Sequence, residues 1–476
     1  MSFVKMSSYL LLLTAVLWIA FLAIRANHFS LIASSAAVLF LSAWYFHRSV
    51  NVFDLRRPTI PGFWFFCYLS MSWFPSILIF LGITPDGYSY PIYSGPHLQT
   101  FIYATYSVLL TVPIGIWLAN SILRFNRDEI RRFFEAPVRA SPIRVRRFLL
   151  LMILAFGTTL LYFSEVKVFP LVEMVKDPGN FAYLSVLREE SFVDLNSRFV
   201  YAYSVLREAL YPFLIAVALG NYICTRRRLW LVLFLATLLA GLSYASVSIA
   251  RSPVATILMV VVGLWYLLRS TRITGRHVAM AASMVLSFPV FVTIWTRDTD
   301  LPLLDALKIV GIRLFYLPAY VAYVYFEVVP KEVHFLHGAT SGKLALLLGT
   351  QPFNMAQYVL STIYPGAPES GSAGGAFFAD FYANFGVPGV LVGGVLLGLI
   401  LQGIQISILR RRKTAVSLAV MAFMFYAFWM TTSRALPTVL LSTGAFFVLM
   451  FWWFLGRFDE LSAPRIARAR QSELKS

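Results

Sequence analysis

The sequence predicts an all-α integral membrane protein, a polytopic bundle of about 12 and at most about 14 transmembrane helices. Of its 476 residues, 59% are hydrophobic and only 13% are charged, and the mean hydropathy is +0.73. Soluble domains carry roughly twice that share of charge, and they do not repeat apolar runs of about 20 residues from end to end. As a third observation, the basic residues concentrate in a few short loops between those runs.

The apolar runs are each long enough to cross the hydrocarbon core of a bilayer, about 30 Å, as a helix. They cover approximately residues 8–24, 29–47, 61–82, 98–122, 147–164, 204–223, 229–249, 252–269, 277–296, 387–408, 416–433 and 436–455. No loop between them is large enough for a separate soluble domain, so residues 1–476 are predicted to form one membrane domain.

Four basic loops determine the predicted orientation. Residues 124–147 carry eight arginines against three acids, and residues 226–228, 269–276 and 410–413 are shorter basic loops. Because positive residues favour the cytoplasmic side, these loops and both termini are predicted to be cytoplasmic. The net charge of +18 follows from this distribution. No basic domain or RNA-binding signature accompanies it, so we do not expect a nucleic-acid partner.

Two long loops are then predicted on the outer side, residues 165–203 and residues 297–386. The second contains an apolar segment, 305–329, which either re-enters the membrane or crosses it. A crossing would need a second one, for example at 342–363, to keep both termini on the same side. The sequence leaves these two arrangements open.

Several arginines lie on the predicted outer side, where the positive-inside rule makes them unexpected. Arg251, Arg313 and Arg434 have no acid within three residues. An arginine at membrane depth costs a few kcal/mol unless it is paired or reaches water. An outer arginine could simply pair with a nearby acid or reach the lipid headgroups. Alternatively, the three could bind one anionic ligand such as a lipid-linked diphosphate, because guanidinium groups bind phosphate oxygens bidentately.

The stretch "GGAFFADFYANFGVPGVL" carries one acid and one amide in an otherwise apolar and aromatic environment. As a helix over 376–385, it places Asp380 and Asn384 on one face and its aromatic residues on the other. Gly386 is suited to end that helix, and Pro388 is suited to begin the next one. The pattern predicts a short helix on the outer surface, a sharp break, and then a span. Alternatively, Asp380 could cap a helix or pair with an outer arginine.

Two further segments offer candidate polar groups. "LREES" places Arg188 beside Glu190 in the first outer loop, either as an acid–base group or as a surface ion pair. The flexible, glycine- and serine-rich loop 364–375 contains Glu369 and is suited to act as a lid.

The sequence offers little that could hold a metal ion. His334 and His337 would share a helical face, but no third ligand is near them, and the Asp-x-Asp at 298–300 is most simply a solvated loop. We therefore expect no metal and no cofactor. One of the two histidines could instead serve as a base.

The stretch around Asp380 resembles the G-F-x-A-D-x-Y-x-N-F-G-x-x-G region of Wzy-type oligosaccharide repeat-unit polymerases, the O-antigen polymerase family. The matching residues are Gly375, Phe377, Ala379, Asp380, Tyr382, Asn384, Phe385, Gly386 and Gly389. An arginine that opens a span in "ARSP", the "GIRLFYLP" segment, and about twelve spans with two long outer loops are also similar to that family.

The resemblance implies a GT-C-like fold in the bacterial inner membrane with its active site facing the periplasm. It implies a metal-independent glycosyltransferase that polymerises repeat units linked to undecaprenyl diphosphate, in O-antigen or related lipopolysaccharide and surface polysaccharide biosynthesis. The growing glycan would be transferred onto a new lipid-linked unit, and undecaprenyl diphosphate would be released. The family also implies a separate chain-length regulator, a polysaccharide co-polymerase, as partner alongside the membrane lipids.

Together with this resemblance, the pattern of candidate polar and charged residues predicts a role for each of them. Asp380 is the first candidate for the general base and Glu190 is the second. Arginines would stabilise the departing diphosphate, and those assigned are Arg251, Arg313, Arg434 and Arg188. Residues assigned to binding or positioning the sugars are Asn384, Tyr382, Glu369 and Tyr316.

Two alternatives from other classes remain open. An O-antigen ligase would transfer finished glycan from the same carrier to the lipid A core, and it would favour His334 or His337 as its base. A flippase or another transporter of lipid-linked oligosaccharides would not be an enzyme. Transporters often contain repeated halves and midplane charges, whereas no repeat is found here and the charges collect at the outer side.

Overall fold

The structure, a computed structural model, describes residues 29–50, 52, 54–85, 90–141, 143, 145–165, 173, 176, 197–247, 251–269, 274–297, 301–342, 345, 349–366 and 372–456. These residues form an all-helical fold, and no β-strand occurs among them. The predicted first span at 8–24 lies outside the described residues.

We number the helices in chain order. They are α1 (Phe29–Val50), α2 (Ile60–Phe80), α3 (Pro96–Ile122), α4 (Asp128–Glu135), α5 (Val145–Glu165), α6 (Tyr201–Thr225), α7 (Arg228–Val247), α8 (Arg251–Arg269), α9 (Gly275–Arg297), α10 (Leu303–Val328), α11 (Met355–Ile363), α12 (Phe377–Leu409), α13 (Ala415–Thr432) and α14 (Leu436–Gly456).

Within the described ranges, 10 helices are long and apolar enough to cross a membrane, namely α2, α3, α5, α6, α7, α9, α10, α12, α13 and α14. The apolar part of α8 is shorter. The protein is therefore a multi-pass helical membrane protein. Large apolar side chains such as Leu150, Ile153 and Leu160 on α5 are exposed, as expected of side chains that face lipid.

Helix α13 lies at the centre of the bundle. Every residue from Ala415 to Phe428 is buried. Trp64 on α2 donates a hydrogen bond from Nε1 to the Thr431 hydroxyl at 3.0 Å, and the Phe63 ring stacks on Phe425 with centroids 4.9 Å apart. Packing around α13 thus fixes where α2 lies.

Helices α3 and α12 approach each other closely at glycines. A Cβ atom on Gly398 would come into contact with the Val112 carbonyl and within 3.0 Å of the Gly115 Cα atom. Both neighbours are backbone atoms that cannot move aside by changing a rotamer. Small residues at such positions let membrane helices pack backbone to backbone.

Replacing Gly398 with valine is therefore expected to separate α3 from α12 and to cost at least about 1–3 kcal/mol of stability. Thermal unfolding of the purified protein in detergent would measure the loss. Gly403→Val is the matched control, because Gly403 lies on the same helix and a Cβ atom there meets nothing within 4 Å. Equal melting temperatures of the two variants would show that this helix contact does not depend on the glycine.

Three of the spans contain a π-helical turn that ends just before a proline. The turns Leu69–Trp73, Leu206–Leu210 and Ile312–Tyr316 precede Pro75, Pro212 and Pro318 in the helices that follow. Proline lacks an N–H group, and its ring clashes with the carbonyl four residues earlier. A wider turn is one of the local adjustments that lets a membrane helix continue past the proline.

Two of the basic loops, 124–147 and 410–413, meet at one end of the bundle, called the basic end below. Arg410 donates from Nε to Glu129 at 3.0 Å, and Arg57 donates to Glu135 at 3.0 Å. Burial raises the pKa of the Glu129 carboxyl, but hydrogen bonds from Arg410 and the Asn126 N–H, together with the positive charges of Arg410 and Arg132, outweigh burial and lower the pKa. These contacts account for two of the four predicted basic loops. The side of the membrane that the basic end faces stays a prediction.

The predicted outer range 297–386 contains α10, a 26-residue helix long enough to cross a membrane. Tyrosine hydroxyls of α10 contact the chain between α2 and α3: Tyr316 donates to the Ile83 carbonyl at 3.1 Å, and Tyr320 donates to the Tyr90 carbonyl at 2.6 Å. In the described part of 342–363, the main element is the nine-residue helix α11. This helix is too short to form the second crossing considered above.

Candidate functional site

Helix α12 is broken at Gly386, as the sequence predicts. Gly386 has φ +65° and ψ −157°, a conformation that is open mainly to glycine. The break folds residues 377–385, called the short arm, back beside residues 387–409, called the long arm. A Cβ atom on Gly393 would lie 2.5 Å from the Phe381 ring, and one on Gly389 would lie 2.5 Å from the Phe381 carbonyl. Asp380 and Asn384, the acid and the amide of the short arm, both line a cavity that the long arm also lines.

The prediction that the short arm is a surface helix is wrong, because the arm is buried. Phe377 packs edge to face on Trp64, and Phe378 packs in the same way on Tyr68. Asp380 is only 8% exposed. A helix with aromatic residues on one face and small residues on the other suits the membrane surface and the bundle interior equally well, and here α2, α3 and α10 cover the aromatic face.

A loop after α10 caps the end of the short arm. The Leu336 N–H donates to the Ala383 carbonyl at 3.0 Å, and the His337 N–H donates to the Asn384 carbonyl at 3.0 Å. The Gly338 N–H donates to the Asn384 side-chain oxygen at 2.7 Å. Carbonyls at a helix end have no partner within the helix, so this loop supplies their hydrogen bonds and fixes its own position beside Asp380.

Asp380, Thr340 and Asn384 form one hydrogen-bonded group. The Asn384 amide nitrogen donates to the Thr340 hydroxyl at 2.7 Å and to the Asp380 carbonyl at 2.8 Å. The Thr340 hydroxyl in turn hydrogen-bonds with the Asp380 carboxylate. Because the hydroxyl accepts from Asn384, its own proton is available for Asp380. Asn384 thus positions the carboxylate, and both amide hydrogens that a sugar could use are already engaged.

The carboxylate lies at a cavity of about 660 Å³. One part of the wall is polar and small, formed by Gly338, Thr340, Ser341, Asp380 and Asn384. The rest is apolar and runs along the long arm of α12 and along α14, with Leu396, Ile400, Ile404, Leu436, Leu440 and Leu449. Phe385, Leu396 and Phe446 in this wall are exposed, so the cavity opens towards the lipid-facing surface.

The two tyrosines assigned to sugars have structural contacts. The Tyr382 ring stacks on Phe326 with centroids 3.9 Å apart and packs edge to face on Phe335. Tyr316 stacks on Tyr320 and uses its hydroxyl to hold the Ile83 carbonyl. Neither belongs to the described wall of the Asp380 cavity.

The premise that Arg434 has no acidic partner is wrong. Its guanidinium donates to Glu208 at 2.7 Å and to the Thr443 hydroxyl at 3.0 Å. Burial disfavours the charged form of Arg434, but the Glu208 carboxylate more than compensates, and the Arg434 pKa is raised. Arg207 is 3.9 Å from the same carboxylate. The partner is 226 residues away in the sequence, so no inspection of neighbouring residues could reveal it.

Of the other arginines and acids with assigned roles, the structure describes some and not the rest. Arg313 is exposed on the π-helical turn of α10, and the described residues provide no ion pair for it. Arg251 begins α8. Outside the described residues lie Arg188, Glu190 and Glu369. In the described chain, no three histidine, cysteine, aspartate or glutamate side chains are grouped as a metal site requires, and we assign no metal-binding residue.

No protein-family model, curated protein or solved structure matches this chain. The similarity of the Asp380 stretch to O-antigen polymerases therefore remains an interpretation of its residues.

Sequence reasoning missed two parts of the site. Thr340 and Gly338 belong to "HGATSG", a run of small and polar residues that is typical of a tight turn. That signal could have drawn attention to the turn. Its contact with Asn384, 46 residues later, depends on the tertiary fold.

Proposed function

We propose that this protein is a membrane glycosyltransferase that polymerises lipid-linked oligosaccharide repeat units, with Asp380 as its general base. The observation that carries the proposal is the position of Asp380 in the cavity. The carboxylate lies where a small polar wall meets an apolar wall that opens towards lipid. A substrate with a sugar joined to a polyprenyl chain has the same division between polar and apolar parts.

In the proposed step, the acceptor hydroxyl oxygen attacks the anomeric carbon of the donor sugar. The hydroxyl proton moves to the Asp380 carboxylate. The bond from the anomeric carbon to the phosphate oxygen breaks, and polyprenyl diphosphate leaves with the electron pair. Thr340 and Asn384 hold the carboxylate in place through their hydrogen bonds, so its orientation does not have to be established during the reaction.

Stabilisation of the negatively charged leaving diphosphate by arginines remains part of the proposal. Arg313 is the most available of the assigned arginines with a described side chain, because it is exposed and has no described ion pair. Arg251 and Arg188 keep their proposed roles from the sequence. Arg434 is less available for this role, because it already pairs with Glu208.

An O-antigen ligase is the second candidate, and His337 supports it. His337 has φ +48°, its backbone N–H is held by the Asn384 carbonyl, and its exposed ring lies 6.5 Å from the Phe385 ring of the cavity wall. A base on this histidine would thus stand close to the cavity that Asp380 lines.

Surface glycans of a deletion strain distinguish the two activities. Loss of a polymerase leaves surface lipid capped with a single repeat unit, whereas loss of a ligase leaves no cap at all. We expect the single-unit pattern on a gel, and restoration of long glycans by the wild-type gene. Surface lipid without any cap would favour the ligase and would contradict the polymerase.

A further inference from the structure

A second cavity, of about 570 Å³, lies at the basic end and has basic side chains in its wall. Arg269 is the last residue of α8, His277 lies in the first turn of α9, and Lys413 lies just before α13. Among its described lining residues the carboxylate is Glu135, which already accepts from Arg57 at 3.0 Å. The described wall therefore has excess positive charge.

The two cations in this wall are not neutralised by any described carboxylate. The Lys413 ammonium donates to the Phe134 carbonyl at 2.9 Å, and the Arg269 guanidinium lies 5.3 Å from the centre of the Trp265 ring. Lys413 is only 7% exposed, and this burial lowers the pKa of its ammonium group. An anion in the cavity would stabilise the charged form and offset that cost.

An apolar cavity of about 440 Å³ lies deeper in the bundle, between α2, α8, α9 and α13. Its wall includes Gly263 and Tyr266 of α8, Ala281 and Val285 of α9, and Phe425 of α13. Almost all of this wall is carbon, so the cavity suits a hydrocarbon chain and provides little to bind a polar molecule.

The two cavities follow each other along the same helices. On α9, His277 of the polar wall is one turn from Ala281 of the apolar wall, and one turn of helix rises about 5 Å. On α8, Arg269 follows Tyr266 by three residues. Arg57 joins the two walls, because it pairs with Asp54 of the apolar cavity at 3.9 Å and with Glu135 of the polar one at 3.0 Å.

We propose that these two cavities form one binding site for an anionic phospholipid from the leaflet at the basic end. The phosphate lies beside Arg269 and Lys413, and an acyl chain extends into the apolar cavity between α8 and α9. Basic pockets between membrane helices are suited to anionic headgroups. This lipid site does not depend on the activity proposed for Asp380.

The two cavities lie one after the other along α8 and α9, and this is the reason for choosing a phospholipid over a free phosphate ion. A free ion would use the polar cavity alone and would leave the apolar one without a role. A neutral lipid would use the apolar cavity and leave Arg269 and Lys413 without an anion. An anionic phospholipid fits both cavities.

Native mass spectrometry of the full-length protein, titrated with phosphatidylglycerol, phosphatidylcholine or inorganic phosphate, tests the site. We expect one phosphatidylglycerol to bind more tightly than phosphatidylcholine. Arg269→Gln should weaken phosphatidylglycerol binding by about tenfold, since it removes one charge-assisted contact. Arg412→Gln is the matched control, because Arg412 is exposed, is adjacent to Lys413 and is absent from the described cavity wall.

Further variants separate the possible ligands and guard against misfolding. Lys413→Gln should act like Arg269→Gln. Because Lys413 also donates to the Phe134 carbonyl, Lys413→Gln could unfold the protein, and in that case the result for Arg269→Gln is the test. Ala281→Phe fills the apolar cavity. It should weaken the binding of phosphatidylglycerol and leave the binding of inorganic phosphate unchanged. The proposal is overturned if Arg269→Gln and Arg412→Gln bind phosphatidylglycerol equally, if the two lipids bind equally, or if only inorganic phosphate responds to Arg269→Gln.

Discussion

Replacing Asp380 with asparagine is expected to abolish long surface glycans while the protein still folds and inserts. Asparagine keeps the shape of the side chain and can still accept from the Thr340 hydroxyl, but it cannot take a proton from the acceptor sugar. Loss of a general base lowers rates by about 10²–10⁴-fold. Gels of surface glycans from a deletion strain that carries the variant measure the effect, with the amount of membrane-inserted protein measured in parallel.

Glu332→Gln is the matched control for this substitution. Glu332 is an exposed acid in the chain that follows α10, and it accepts a hydrogen bond from the Tyr358 hydroxyl at 2.9 Å. The same change from acid to amide there should leave glycan length unchanged. If Asp380→Asn also gives normal glycans, the general-base role of Asp380 is wrong and the carboxylate has only a structural role.

Replacing Glu208 with glutamine is expected to destabilise the protein severely. Glu208 is 7% exposed and is the described partner of both Arg207 and Arg434. Removing one member of a fully buried ion pair costs about 3–5 kcal/mol, because a buried charge loses its partner. The Arg434 side chain is 26% exposed, so we expect a loss at the lower end of that range. Thermal unfolding in detergent should therefore show a large fall in the melting temperature, and Glu208→Gln combined with Arg434→Gln should recover part of it.

The exposed ion pair between Arg57 and Glu135 provides the comparison for this effect. Its atoms are 3.0 Å apart, close to the 2.7 Å of the Arg434–Glu208 pair, but the Glu135 side chain is 55% exposed. Exposed pairs contribute about 0–1 kcal/mol. Glu135→Gln should thus leave the melting temperature nearly unchanged. If Glu208→Gln is as stable as Glu135→Gln and Arg434→Gln reduces only glycan synthesis, then Arg434 acts on the substrate and not on the fold.

The membrane spans and the break in α12 could be predicted from local sequence. Apolar length and the clustering of arginines in loops reflect the bilayer directly, and the described helices follow the predicted runs closely. The break at Gly386 was predictable because glycine and proline restrict the backbone within a few residues.

Burial and long-range partners could not be predicted in this way. In a bilayer both the lipid-facing and the buried faces of a helix are apolar, so the aromatic face of residues 377–385 did not reveal whether lipid or protein covers it. The pairing of Glu208 with Arg434 and the contact of Thr340 with Asn384 join separate helices and loops. They depend on how the bundle packs, and one sequence does not contain that information in its local pattern.

The most direct test of the proposed activity is elongation by the purified protein in detergent, with lipid-linked repeat units as sole substrate and no ion gradient. The proposal predicts longer lipid-linked glycans and release of one polyprenyl diphosphate for each unit added, with neither product formed by Asp380→Asn. Failure of folded wild-type protein to elongate these units, together with their gradient-dependent movement across reconstituted membranes, would contradict the enzyme and identify a transporter.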